Sequence, residues 1–301
     1  MRIGIMIGAD GTRATIDDVV ARAKAVEAAG LDDVWLANIF SFDAITTLAI
    51  IGRETSRLGL GTAVTPTYPR HPTAIAQQAM TAQAASVGRL TLGIGLSHKV
   101  VIENMLGFSY DQPARHMREY LKVLMPLIRG ETCDFDGEQY RVHGLKLDIQ
   151  GGTNLPVVVA ALGPAMLKVA AELCAGTNTW MVGPKTMEGH IIKSLRQAGL
   201  TSPRVVGGFP VLLTNKPDDA RKELGQMLTV YGQLPSYRAM LDKEGLKNPE
   251  DIAILGDENL LRGQIKRLAD MGVTDFNAAV MSSDPAAYGR TLEFLASIVR
   301  S

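Results

Sequence analysis

Eight times along its length this chain alternates a short apolar run of strand length with a longer run whose apolar residues recur at helical spacing. The strand-like runs cover residues 3–7, 33–37, 60–64, 90–95, 156–160, 177–181, 205–213 and 275–280. The helical runs cover 16–29, 44–53, 73–86, 115–128, 165–175, 186–198, 217–232 and 285–299. Strands that alternate with helices pair in parallel. Eight such units favour closure into an α/β (β/α)8 TIM barrel over an open doubly wound sheet. Gly30 and Gly199 stand just past two of the helices, where a left-handed cap is wanted. The seventh unit is oversized: residues 234–245 follow its helix, then a further helix near 257–271 that ends at Gly272. Residues 131–142 read as a hairpin with Asp136-Gly137 at the turn, inserted after the fourth unit. The insertion, about 130–154, is expected to extend over the barrel mouth as a lid. With no short repeat, low-complexity tract or charged linker, the expectation is one domain over 1–301.

The 31 Lys and Arg balance the 31 Asp and Glu, without a basic stripe or an acidic tail. That balance argues against nucleic acid or a membrane surface as partner and leaves a small-molecule substrate. The opening MRIGIMIGADG reads as a core strand rather than a signal peptide, and no apolar run reaches membrane-spanning length. Cys133 and Cys174 match no metal or redox spacing. The expectation is a cytoplasmic protein with two ordinary thiols.

Function in parallel α/β folds gathers at loops after strand C-termini. The loop 65–72 carries three prolines, which stiffen the chain where the third strand delivers it to the mouth. The fourth strand ends in Gly93-Ile94-Gly95, where missing side chains admit a flat ligand or another backbone. As a dinucleotide loop this is a partial match, since His98 stands where the third glycine belongs. Arg70 reads either as a partner for a nearby carboxylate or as a site residue. The turn at 162–166 opens a helix whose free N–H groups could receive an anion, although most such turns in a barrel hold none.

His71 and His98 lie at strand-end loops, whereas His116, His143 and His190 read as surface groups. No His, Cys, Asp or Glu set has metal spacing, and no Gly-x-Ser-x-Gly elbow occurs. The carboxylates at strand ends are few: Asp10, Asp43, Glu103 and Asp284, with Asp43 placed to cap the helix that starts at Ala44. An aldolase or isomerase would need a Lys or a carboxylate pair there. A mouth rich in Gly, Thr, Asn, Trp and Met suits a planar cofactor that brings its own chemistry.

Taken together, GTAVTPTYPRHP, GRLTLGIGLSHK, WLANIFSFDA, AALGPAMLKVA and LRGQIKRLADMGVTDF resemble the bacterial luciferase-like superfamily, in its deazaflavin-using branch with methylenetetrahydromethanopterin reductase. The resemblance covers essentially the whole chain. It implies coenzyme F420 at the strand C-termini, with a non-proline cis peptide at Ala63–Val64 and Val64 behind the ring. It further implies phosphate contacts at Leu162, Gly163, Pro164, Ala165 and Met166, closed on the far side by 177–183 with Thr179 and Gly183. Thr65, Gly95, Ser97 and His98 would line the ring, and Asn38 and His98 would be the catalytic candidates. Relatives that oxidise sugar phosphates carry acidic and His groups after the second strand, where this chain reads Ala37-Asn38-Ile39. The expectation is therefore a reductase that delivers hydride to an activated C=C or C=N bond.

Two alternatives stay open: an FMN-dependent monooxygenase and a non-catalytic flavin-binding relative. The first presents an Arg after the fourth strand, where this chain has Gly95-Leu96-Ser97-His98-Lys99. Selectivity is expected from Asp10, residues 38–42, the insertion and 234–247. A homodimer through the second and third helices is expected.

Overall fold

The computed structural model describes residues 1–8 and 14–300; Asp10 lies outside the described residues. The first three units are β1 (Arg2–Ile7) with α1 (Ile16–Ala29), β2 (Asp33–Leu36) with α2 (Ala44–Glu54), and β3 (Gly59–Thr62) with α3 (Pro72–Ala85). The two-residue β4 (Thr65–Pro66) resumes the third strand. In the fourth unit, β5 (Leu90–Gly95) and α4 (Pro113–Ile128) flank a π-helical turn at Val100–Met105. The hairpin β6 (Cys133–Asp136) and β7 (Arg141–Leu145) follows. Next come β8 (Val157–Val159) with α5 (Pro164–Leu173), then β9 (Gly176–Thr179) with α6 (Pro184–Thr186) and α7 (Lys193–Gln197), joined by a π-helical turn. The last units are β10 (Arg204–Leu213) with α8 (Pro217–Gln233) and α9 (Pro235–Glu244), β11 (Ile254–Gly256) with α10 (Glu258–Met271), and β12 (Asp275–Val280) with α11 (Pro285–Val299).

Eight parallel strands close a ring in the order β1, β2, β3, β5, β8, β9, β10, β12 and back to β1. The unforeseen β11 stands outside the ring, paired with the C-terminal end of β10. Alternate strand residues face outward to pack under the helices, among them Ile3, Ile5, Leu60, Leu92, Phe209 and Phe276. Apart from Trp35, Met6, Val158 and Val206, the inward set is small or polar. Trp35 fills the barrel because Gly61 has no side chain: a Cβ there would lie 2.2 Å from the indole.

At the N-terminal end of the strands, Arg2 holds Asp33 and Arg204 holds Asp275, with Arg204 also donating to Thr91. These groups floor the barrel. Burial pushes the Asp33 carboxyl up, and its pairing with Arg2, helped by the nearby Arg204 charge, keeps the cost down.

The hairpin insertion is not a lid. The Glu119 carboxylate on α4 accepts from the backbone N–H groups of Glu138, Gln139 and Tyr140, which fastens the turn to that helix. Further on, Gly152 is pressed against the Met80 carbonyl on α3. The insertion therefore packs along α3 and α4, and its Tyr140 meets the rings of His71 and His116 beside loop 65–72. The cover over the mouth comes instead from α8 and α9. Among the described residues no helix is long and apolar enough to cross a membrane.

Candidate active site

The third strand breaks after Thr62 and resumes at Thr65, and both pieces pair with β5. In the gap the Ala63–Val64 peptide bond is cis. The Gly-x-Gly of β5 accommodates this irregularity. A Cβ on Gly93 would lie 2.0 Å from the Thr62 carbonyl oxygen, and one on Gly95 would lie 2.6 Å from Val64 Cγ2. The space left by the glycines is taken by the chain's own third strand, which holds Val64 half-buried at the mouth. Thr65 is fully buried, with no partner for its hydroxyl.

Loop 65–72 is fixed from several sides. Thr67 donates its N–H to the Gly95 carbonyl, and its hydroxyl meets His116 Nε2 at 2.9 Å. His116 is 3% exposed rather than a surface group. Its ring stacks on Tyr68 with centroids 4.0 Å apart, and burial pushes its pKa down to about 4, so it is neutral at pH 7. Arg70 takes the structural role, pairing with Asp43 at 2.6 Å, while Asp43 also caps α2 at the Thr46 N–H. Tyr110 donates to the Ser97 carbonyl oxygen at 3.2 Å, tying down the segment after β5. Ser97 and Met181, after β5 and β9, both sit in left-handed backbone (φ 62° and 57°), a strained choice for non-glycine residues that clusters at functional strand ends.

Asn38 follows β2, and its side-chain oxygen accepts the Ala44 N–H at 2.9 Å. His98 is half-buried, its pKa held below the ordinary value by burial, with its ring edge-on to Tyr237.

The turn before α5 is open. Gly163 caps the helix without a side-chain hydrogen bond, and Gly163, Pro164 and Ala165 are exposed, so the first N–H groups face solvent. His190, another residue first read as a surface group, meets the Leu162 carbonyl oxygen at 2.8 Å and steadies the turn from behind.

Thr179 and Gly183 belong to the neighbouring strand end, after β9, which pairs with β8. The Thr179 hydroxyl is buried and donates to the Val206 carbonyl oxygen. At Gly183 the anion position is taken: the Glu244 carboxylate accepts from the N–H groups of Lys185 at 3.0 Å and Thr186 at 2.7 Å.

The strand-end carboxylates within the described residues are all engaged in structure. Asp43 is held as above, Glu103 accepts from the Tyr110 N–H and faces Lys99 at 3.7 Å, and Asp284 caps α11. No three His, Cys, Asp or Glu side chains cluster as metal ligands among the described residues. A cleft of about 870 Å³ does exist, but at the opposite end of the barrel, beside Arg2, Asp32 and Thr274.

Residues 1–276 match the family model described as luciferase-like monooxygenase. The chain is 33% identical over 228 residues to 5,10-methylenetetrahydromethanopterin reductase of Archaeoglobus fulgidus, covering 74% of this chain and 68% of that protein. It is 32% identical to a putative coenzyme F420-dependent oxidoreductase of Mycobacterium tuberculosis, covering 69% and 60%. Among solved structures it superimposes on the coenzyme F420-dependent tetrahydromethanopterin reductase of Methanopyrus kandleri with a TM-score of 0.82 at 19% identity, covering 98% and 97%.

Proposed function

The chain belongs to the luciferase-like monooxygenase family, and within it we propose a coenzyme F420-dependent reductase acting on a small organic acceptor with an activated C=C or C=N bond. When bound, the deazaflavin supplies a hydride from its C5. Relatives named for F420 and for methylenetetrahydromethanopterin reduction support the cofactor. The observation that carries the reading is Val64, seated on Gly93 and Gly95 at a mouth whose described carboxylates are all engaged elsewhere. Such a site has a firm apolar backstop and, among the described residues, no carboxylate free to act as an acid or base, as fits chemistry brought by a cofactor.

The residues present fit the group. Val64 would press on one face of a flat ring. The exposed, uncapped start of α5 at 163–166 would receive a phosphate through N–H groups and the helix dipole. His98, neutral at pH 7, can accept or donate a hydrogen bond without placing a charge beside the ring. The proton that accompanies reduction would come from a water held by Asn38 and His98. Lys99, the sole cation after β5, faces Glu103 in an exposed pair, which favours F420 over FMN. The same reading includes a homodimer. The apolar faces of α2 and α3 are largely spent in the core, so contact would fall to Thr46, Ile50, Ala74 and Gln77, and sedimentation tests it.

Separate titrations with F420 and FMN, followed by fluorescence, test the proposal. Micromolar or tighter F420 binding with weak FMN binding supports it. FMN preference moves the protein to the monooxygenase branch, and binding of neither sinks the redox assignment.

A further inference from the structure

The long connection after β10 lays aromatic side chains across the mouth. Tyr237 of α9 meets the His98 ring edge-on, with centroids 5.3 Å apart at 65°. Tyr237 meets Tyr231 at 5.7 Å and 57°, and Tyr231 meets Trp180 at 6.1 Å and 70°. The four rings form one wall from the end of β5 to the end of β9. All four are half-buried, so the wall keeps accessible aromatic surface. Each steeply inclined contact uses the edge of one ring and one face of the other, which leaves further faces for another flat group.

Trp180 is set into the mouth because Gly208 has no side chain; a Cβ there would lie 2.9 Å from the indole. Its Nε1–H is buried and has no hydrogen-bond partner. A buried donor without an acceptor is unfavourable, and an incoming oxygen would satisfy it. The wall is also held in place: Glu244, at the end of α9, is clamped by the Lys185 and Thr186 N–H groups.

We propose that this wall is the acceptor-recognising face of the site. It selects flat, conjugated acceptors carrying an oxygen that receives the Trp180 N–H. A ring packs against the tyrosine and histidine faces while the oxygen meets the indole; an aliphatic acceptor gains only the second contact. The inference deepens the reductase reading and rests on it for the ligand's role as hydride acceptor.

Methyl cinnamate and methyl crotonate share one conjugated ester and differ by a phenyl ring, so they isolate the wall. Their binding is measured by calorimetry on the intact protein, with and without saturating F420, and F420 binding is recorded separately. Methyl cinnamate should bind at least about tenfold more tightly, and Tyr231→Ala and Tyr237→Ala should each remove most of that preference. Trp180→Phe keeps a ring and removes the donor. It should weaken methyl cinnamate about three- to tenfold and leave trans-β-methylstyrene, which lacks the oxygen, unchanged. Should that variant not fold, the two tyrosine variants on the cover still decide. Equal affinity for the two esters, or a preference untouched by both tyrosine substitutions, overturns the proposal. An aromatic preference in a protein that binds no F420 supports the wall and sinks the cofactor reading.

Discussion

Val64 occupies the space that a side chain on Gly95 would need: a Cβ there would lie 2.6 Å from Val64 Cγ2 and 3.0 Å from Ala160 Cβ. The two positions are therefore coupled, and the third strand can carry a branched side chain at the mouth only while the fourth strand carries none.

Gly95→Ala should push Val64 out of place. We expect a stability loss of about 1–3 kcal/mol from overpacking, with F420 affinity falling about tenfold. The double variant Gly95→Ala/Val64→Ala should recover most of the stability and little of the affinity. Denaturant unfolding and F420 titration of the four proteins check both; simple additivity of the two substitutions would refute the coupling.

Ala165→Asp should act in opposite directions on stability and binding. A carboxylate in the exposed first turn of α5 complements the helix dipole and adds about 0.5 kcal/mol. The same charge repels a phosphate, so F420 should bind at least about tenfold more weakly, most visibly at low salt. Unchanged affinity would remove the phosphate from this turn.

Asn38 can be divided into its two roles. Asn38→Ala loses the acceptor for the Ala44 N–H and should cost about 1 kcal/mol. Asn38→Asp keeps that acceptor and should hold wild-type stability. Both should lose reductase turnover with the acceptor found by screening. Full turnover in the Asp variant would reduce Asn38 to a structural support for α2.

His116 predicts a pH dependence. Burial lowers its folded-state pKa to about 4, from an ordinary 6.5. The stability held in its neutral form is therefore fully present above pH 6.5 and is lost as pH falls towards 4. The loss is about 3 kcal/mol across that window. Comparing urea unfolding of the wild type and His116→Gln from pH 7 to pH 4, the gap between them should narrow steadily. A constant gap would mean that His116 titrates normally.

Much of the barrel is written in local pattern, because a strand buried on both faces and an amphipathic helix each leave a repeat in the chain. All eight ring strands lie within a residue or two of their apolar runs. The three-residue β11 escaped because Ile254–Gly256 is too short to carry a period. His116 was legible in principle: Tyr120, Leu124 and Leu127 follow it on the buried stripe of α4, and its place on that stripe, rather than its polarity, decided its burial. Gly93 and Gly95 announced a close approach without saying of what, since the tenant, Val64, comes from another strand. Glu244 reaching the Thr186 N–H, and His190 reaching Leu162, leave no local trace: 58 and 28 residues separate the partners. The same holds for the aromatic cover, which exists only once α8 and α9 fold back over the mouth.

The ring is sealed by pairing Arg2, Ile3, Gly4 and Ile5 with Asp275, Phe276, Asn277 and Ala278. During synthesis β1 leaves the ribosome before the other ring strands, and one of its two neighbours, β12, is the last of them to be made. Through most of translation β1 thus has a bare edge, and Asp275 is not yet there for Arg204. A nascent chain halted before residue 275 is an open sheet, so any factor that shields strand edges during translation has its longest engagement at β1.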